Sequence, residues 1–303
     1  MRLSNKQMAD AIMRNLNRQI LQIQTRQQMI SSGKKVNKPS DDPIGMGQIL
    51  DYRRTLSSID QYQRNIDRAK MRVELVETTL ESVEDLIVRA KNWAVNLSSG
   101  SGDAELMTIG ANEVKHIYDQ LMQLANTKIG NNYLFAGHLT DTQPFTRNAD
   151  GIDGTADDWD AVYNGDNGNL KILIGDNLSM DLKADGGEVF QGTVDLFASL
   201  RDLIQGLEAG DLTQIGNQVA PLIAAQNQNQ AVRAEGSAGY KRLEAAENHW
   251  EVFRLKIEDM RANAEDADVT KALVELQNLE TSYEISLATS AKIIQPTLMN
   301  FLS

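Results

Sequence analysis

The chain has 303 residues, no cysteine, and 30 lysine and arginine residues against 42 acids, for a net charge of −12. The missing thiols exclude disulfides, thiolate metal sites and thiol catalysis. The acidic balance, with no long basic run to offset it, disfavours non-specific nucleic-acid binding, which works by neutralising phosphates with Lys and Arg.

The start, MRLSNKQMADAIMRN, has no apolar run of the signal-peptide type, and nowhere do 18 apolar residues follow one another. General rules then expect either a cytoplasmic protein or export by a route without a cleaved signal. A first helix is expected over residues 5–32, where Met8, Ile12, Leu16, Ile20, Ile23 and Ile30 recur at helical spacing. Its opposite face carries Gln7, Asn15, Asn17, Gln19, Gln22, Gln24, Gln27 and Gln28, so amides outnumber charges. Hydrogen-bonded amides cost less to bury than charges do. The pattern fits a helix whose polar face is also packed in an assembly; a Gln-rich helix lying in water fits it equally well. Gly33 ends this helix. Pro43 then suits a first helical position, with Asp42 or Ser40 as the cap. Neither Gly33-Lys34-Lys35 nor Gly45 with Gly47 makes a phosphate loop.

The second helix carries an apolar stripe at Leu56, Ile59, Tyr62, Ile66, Ala69, Val73, Val76, Leu80, Val83, Ile87, Ala90, Ala94 and Leu97. Spacings of three and four alternate, the 3.5-residue period of a left-handed coiled coil. At about 1.5 Å per residue the stripe extends on the order of 60 Å, too far to be buried against itself. One helix of an ordinary bundle would show the same stripe. Ser98 to Gly102 is a breaker, and Asp103 caps a third helix bearing Leu106, Val114, Ile117, Leu121 and Leu124.

From about residue 130 the period changes. Asp160–Tyr163 reads as a strand, and Leu170–Ile174 with Leu178–Leu182 reads as a hairpin about Gly175-Asp176-Asn177. Residues 131–192 hold eleven acids and three bases, most of the chain's acidic excess, which predicts a small outward-facing β domain. Asp150, Asp153, Asp157 and Asp158 invite a calcium site, but their spacing is not that of an EF-hand loop, and turn chemistry is the stronger reading.

Helix returns over Val194–Leu207 and is broken at Gly210-Asp211. Another helix starts near Thr213 and, with a disturbance expected at Pro221 and Gly236–Gly239, runs into a second stripe: Leu243, Ala246, Trp250, Phe253, Ile257, Met260 and Ala264. A last helix shows Val269, Leu273, Leu276, Leu279, Tyr283, Leu287, Ile294 and Leu298, with Phe301 near its end. The expected fold is mainly α with an inserted β domain: an elongated antiparallel helical bundle or coiled coil of long N- and C-terminal helices. Its intramolecular seam would set Ile66, Val73, Val76, Leu80, Val83 and Ile87 against Leu243, Trp250, Phe253 and Ile257. Residues 1–42 and 268–303 would form a terminal assembly region, 43–130 and 193–267 the long-helix bundle, and 131–192 the insert. Met8, Ile12, Leu16, Ile20 and Ile23, with Tyr283, Leu287, Ile294, Leu298 and Phe301, are the candidate assembly and partner-binding residues. His116, His138 and His249 stand in separate segments, and no nucleophile or dinucleotide motif is present. No enzyme activity, cofactor or metal is expected.

Two segments carry a family resemblance. Ile30–Asp42, ISSGKKVNKPSDD, resembles the N-terminal signature of the flagellin family, and Arg242–Asp268, RLEAAENHWEVFRLKIEDMRANAEDAD, resembles its C-terminal one. Within that family, Pro43 after the Asp pair, Asn132–Gly137 followed by Gln143-Pro144-Phe145, and the tail AKIIQPTLMNFL are similar to a hook–filament junction member rather than a filament subunit, which stands as the alternative. The resemblance implies a structural component of the bacterial flagellum, exported through the flagellar type III apparatus and located outside the cell. It implies hook-associated protein 1, flagellin and copies of itself in a ring as partners, and a cytoplasmic export chaperone on the C-terminal helix. It also implies that the termini order on assembly.

Overall fold

Aspartate sets the start of most helices. The computed structural model of the chain describes residues 2–100, 103–147, 159–182 and 185–302, with side chains between Gln7 and Lys292. Helix α1 (Arg2–Ser32) is followed by α2 (Pro43–Ser98), at whose head Asp42 accepts the amides of Ile44 and Gly45 at 3.1 and 2.9 Å. Asp103, Asp185, Asp195 and Asp211 cap α3 (Ala104–Ala125), α4 (Gly186–Gln191), α5 (Leu196–Ala209) and α6 (Leu212–Asn217). After α7 (Val219–Glu265), Asp268 accepts the Lys271 amide at 3.0 Å at the head of α8 (Val269–Leu302). A short carboxylate satisfies the orphan N–H groups of a first turn and meets the positive end of the helix dipole. Part of the acidic excess therefore serves caps. Gly33 and Gly210 follow α1 and α5 at φ +70°, a backbone that costs glycine nothing.

The chain divides into two compact units, Met1–Ser58 with Val252–Ser303, and Ile59–Glu251. Within the second, α2 and α7 pair antiparallel, because partners descend α7 as they ascend α2. Lys70 meets Glu247 at 2.7 Å, Tyr240 donates to Glu74 at 2.9 Å, Arg233 to Glu77 at 2.9 Å, and Gln226 to Glu84 at 3.3 Å. The α2 stripe lies where its spacing predicts. Ile66, Leu80, Val83 and Ile87 are buried, while Val73 and Val76 are half-buried against the same core.

The α7 stripe departs from expectation twice. The helix runs unbroken through Gly236 and Gly239, and Pro221 falls in its first turn, where a missing N–H breaks no helical bond. Leu243 and Ile257 are buried and Trp250 is half-buried, whereas Phe253 is 39% exposed, more open than its place in the stripe leads one to expect. Past Trp250 the covered positions include Arg254, Ile257, Glu258, Arg261 and Glu265, with Ala262 and Ala264 half-buried beside them. A straight helix drifts relative to a heptad repeat, and the drift turns Phe253 and Met260 outward.

The expected β insert is present, and it is built on the helices around it. Among the described residues its strands form three separate antiparallel pairs: β1 (Lys128–Ile129) with β2 (Asn132–Tyr133), β3 (Phe145–Arg147) with β4 (Ala161–Tyr163), and β5 (Leu170–Gly175) with β6 (Leu178–Leu182). An isolated strand pair is marginal in water, and these lean on helices. Leu134, Phe135 and Phe145 share a core with Phe190, Phe197 and the α2 and α3 residues Leu80 and Tyr118. Ile174, Met180 and Leu182 pack with Ile66, Ala69 and Leu243. The Trp250 indole donates to the Ile174 carbonyl at 2.6 Å, and Asn65 donates to that of Leu173 at 2.8 Å, fastening the β5–β6 pair to both long helices. Asp150, Asp153, Asp157 and Asp158 lie outside the described residues.

Candidate assembly surface on the terminal helix pair

In the unit formed by the two chain ends, α1 and α8 pack on one another. Arg26 pairs with Glu275 at 3.1 Å and Gln19 donates to Ser286 at 3.2 Å, so the helices run antiparallel. Apolar residues recur along both because each helix needs one covered face, but two helices alone cover little. Among the described residues of α1 and α8 only Ala272 is buried.

Ile12, Leu16, Ile20 and Ile23 are half-buried, as are Leu276, Leu279 and Tyr283. Met8 is 50% exposed and Leu287 43%, so these two lie on the open flanks of the pair. The structure thus sorts the predicted residues into a covered strip and a free one. The side chains of Ile294, Leu298 and Phe301 lie outside the described residues. Met13, Leu21, Leu273 and Ile285 enlarge the exposed apolar area. An open groove of about 560 Å³ runs between the helices, lined by Arg18, Leu21, Gln22 and Arg26 on one side and Glu275 and Leu279 on the other.

Full burial of a Leu or Ile side chain stabilises by about 1.5–3 kcal/mol, so each half-covered position leaves about 1 kcal/mol to be gained on association. Summed over both helices, that is a surface suited to further helices. The α1 sequence also holds five bases and one acid, whereas α8 holds two bases and three acids, so the two sides of the pair differ in sign.

Sequence reasoning missed one cluster beside this surface. Glu265, only 3% exposed, is bound by Lys34, by Arg53 at 2.5 Å and by Arg261 at 3.9 Å. Burial works to raise the Glu265 pKa, but the hydrogen bonds from Lys34 and Arg53 outweigh it and hold the carboxyl below its usual range. Its signal was a charge in phase with Trp250, Ile257 and Arg261 on a helix whose stripe otherwise selects apolar residues.

Residues 3–140 match the bacterial flagellin N-terminal helical region. The chain is 33% identical over 147 residues to flagellar hook-associated protein 3 of Escherichia coli (strain K12), covering 48% of this chain and 46% of that one. It is 31% identical over 155 residues to the protein of the same name from Salmonella typhimurium, 51% of this chain and 49% of that one. The chain therefore spans about half the length of the curated relatives it matches. The solved structure of hook-associated protein 3 from Legionella pneumophila superposes with a TM-score of 0.61 at 16% identity, covering 75% of this chain and 99% of that one, so the fold is shared.

Proposed function

We propose that the chain is a structural subunit of the bacterial flagellum, an adaptor at the hook–filament junction that joins hook-associated protein 1 to the first flagellin subunits. The observation that carries this reading is the terminal helix pair, whose apolar stripes are only half covered although the α2 stripe is largely buried. Residues 1–42 and 268–303 act as the assembly region. Helices of neighbouring copies in a ring, and of the proteins above and below, complete the burial that α1 and α8 begin. Residues 43–130 and 193–267 serve as the bundle that carries this region, with 131–192 on its outer side. The match of residues 3–140 to a flagellin region supports the assignment. The protein catalyses no reaction, leaves the cell without a cleaved signal, and is held beforehand by a chaperone on α8.

Ordering the terminal helices on assembly has an entropic cost that the newly buried apolar surface must exceed. A charge placed in that surface removes the excess. In a strain lacking this gene, Ile12→Asp and Leu287→Asp chains are expected to be exported and to leave hooks intact while flagellin is shed into the medium. Full filament retention with both variants would sink the reading.

A further inference from the structure

At the point where α1 and α8 leave the long helices, the two connecting segments are tied to each other. Lys34 and Asp266 form an antiparallel bridge. The Lys35 amide donates to the Glu265 carbonyl at 2.8 Å, and the Ala267 amide donates to that of Gly33 at 2.9 Å. Lys35 Nζ reaches the Asn263 carbonyl at 2.5 Å, and Val36 is buried beside them. Above this bridge sits the Glu265 carboxylate with cations from three segments: Lys34 from the linker, Arg53 from α2 and Arg261 from α7.

We infer that this joint is an orientation lock, in which Glu265 holds the α1–α8 pair in one setting against the adjoining ends of α2 and α7. The two backbone hydrogen bonds define a register but also an axis about which the pair could turn. The bond from Arg53 reaches a third segment and blocks that turn. A buried carboxylate suits the task because its hydrogen bonds are directional, whereas an apolar contact tolerates sliding. Surplus positive charge keeps the carboxylate paired if a single cation lets go. Opening the lock therefore frees a hinge without unfolding the helices on either side.

The inference does not depend on what the terminal pair assembles with, and it is tested on the purified full chain. The absence of cysteine lets the exposed pair Gln27→Cys and Gln48→Cys carry two spin labels with no background. Pulsed dipolar spectroscopy is expected to give one narrow distance distribution in the parent. Arg53→Gln, a half-exposed position whose loss leaves Glu265 partnered, is expected to broaden it, and Glu265→Gln to broaden it further. Trp93, Trp159 and Trp250 all lie within Ile59–Glu251, so their emission reports separately on that unit. Broadening with unchanged emission supports the lock. An unchanged width in both variants overturns it, as does broadening that occurs only with a shift in emission.

Discussion

Asn229 donates through Nδ2 to the carbonyl oxygen of Leu80 at 2.9 Å, deep in the α2–α7 seam. Its Oδ1 is buried with no hydrogen-bond partner among the described residues. A single polar residue in an apolar seam fixes register at some expense of stability. Asn229→Ala is expected to lose about 1–2 kcal/mol, from the broken bond and the space left behind. Asn229→Leu, which also removes the orphaned oxygen, should match or exceed the parent. Urea unfolding of both variants checks this; equal losses in the two would mean that the bond to Leu80, which both remove, outweighs the orphaned oxygen and the lost volume.

Two glycines one turn apart on α7 should respond unequally to alanine. A Cβ on Gly236 meets nothing within 4 Å, whereas one on Gly239 lies 2.8 Å from Met180 Cε. Gly236→Ala therefore gains about 0.5–1 kcal/mol of helix propensity. At Gly239 the same gain is offset by displacing Met180 from its packing on Leu243, so the variant should be less stable than Gly236→Ala. Thermal unfolding of the two single variants compares them directly.

The head of α2 offers a second contrast. Asp42→Ala should cost about 1 kcal/mol through loss of the cap. A Cβ on Gly47 is unobstructed, while one on Gly45 collides with the Asp42 carboxylate. Gly47→Ala is then stabilising by roughly 0.5–1 kcal/mol, and Gly45→Ala falls short of it because the cap is disturbed. In Asp42→Ala the two glycine substitutions should become equivalent, a convergence that a double-mutant cycle measures.

Acid should weaken the fold through Glu84 and Glu265. Hydrogen bonding from Gln230, with further help from Gln226 and Arg233, lowers the Glu84 pKa against the opposing effect of burial. For Glu265, burial is opposed and outweighed by Lys34 and Arg53. Both carboxyls thus titrate lower when folded than the usual 4.5. Their stabilisation is complete above that value and is lost as the pH falls through the depressed folded values. Urea midpoints taken from neutral pH downward should decline below about pH 4.5, less steeply in Glu265→Gln. An identical slope in that variant would show that Glu265 carries no share.

The long helices were legible because a stripe such as Ile59, Ile66, Ala69, Leu80, Val83 and Ile87 repeats one requirement many times. Caps were legible for a local reason, since Asp42 and Asp103 act within three residues of themselves. What escaped depends on distant partners. Nothing near Phe253 announces that the covered face of α7 has moved past it. The β5–β6 strand pair reads as a hairpin, which it is, but nothing in its own sequence says that Trp250 and Asn65 hold its carbonyls. Glu265 looks like one more surface acid until Lys34 and Arg53 come from far earlier in the chain to meet it. Of the terminal surface, the residue types and spacing were readable from the sequence. The split between a covered strip with Tyr283 and an open flank with Leu287 was not, because the spacing of one helix does not say where the second will sit.

The antiparallel course of α2 and α7 also governs when the molecule can fold. Lys70 and Glu247 are separated by 177 positions, and Leu80 and Asn229 by 149. Contacts that close such long loops form late, because the entropy of closure is lost before any burial is gained. A chain emerging from its N-terminus holds the 56 residues of α2 without their partner until α7 follows. Until then α3, α5 and the strands are the partners at hand for the longest apolar stripe in the protein, and its α7 side stays open.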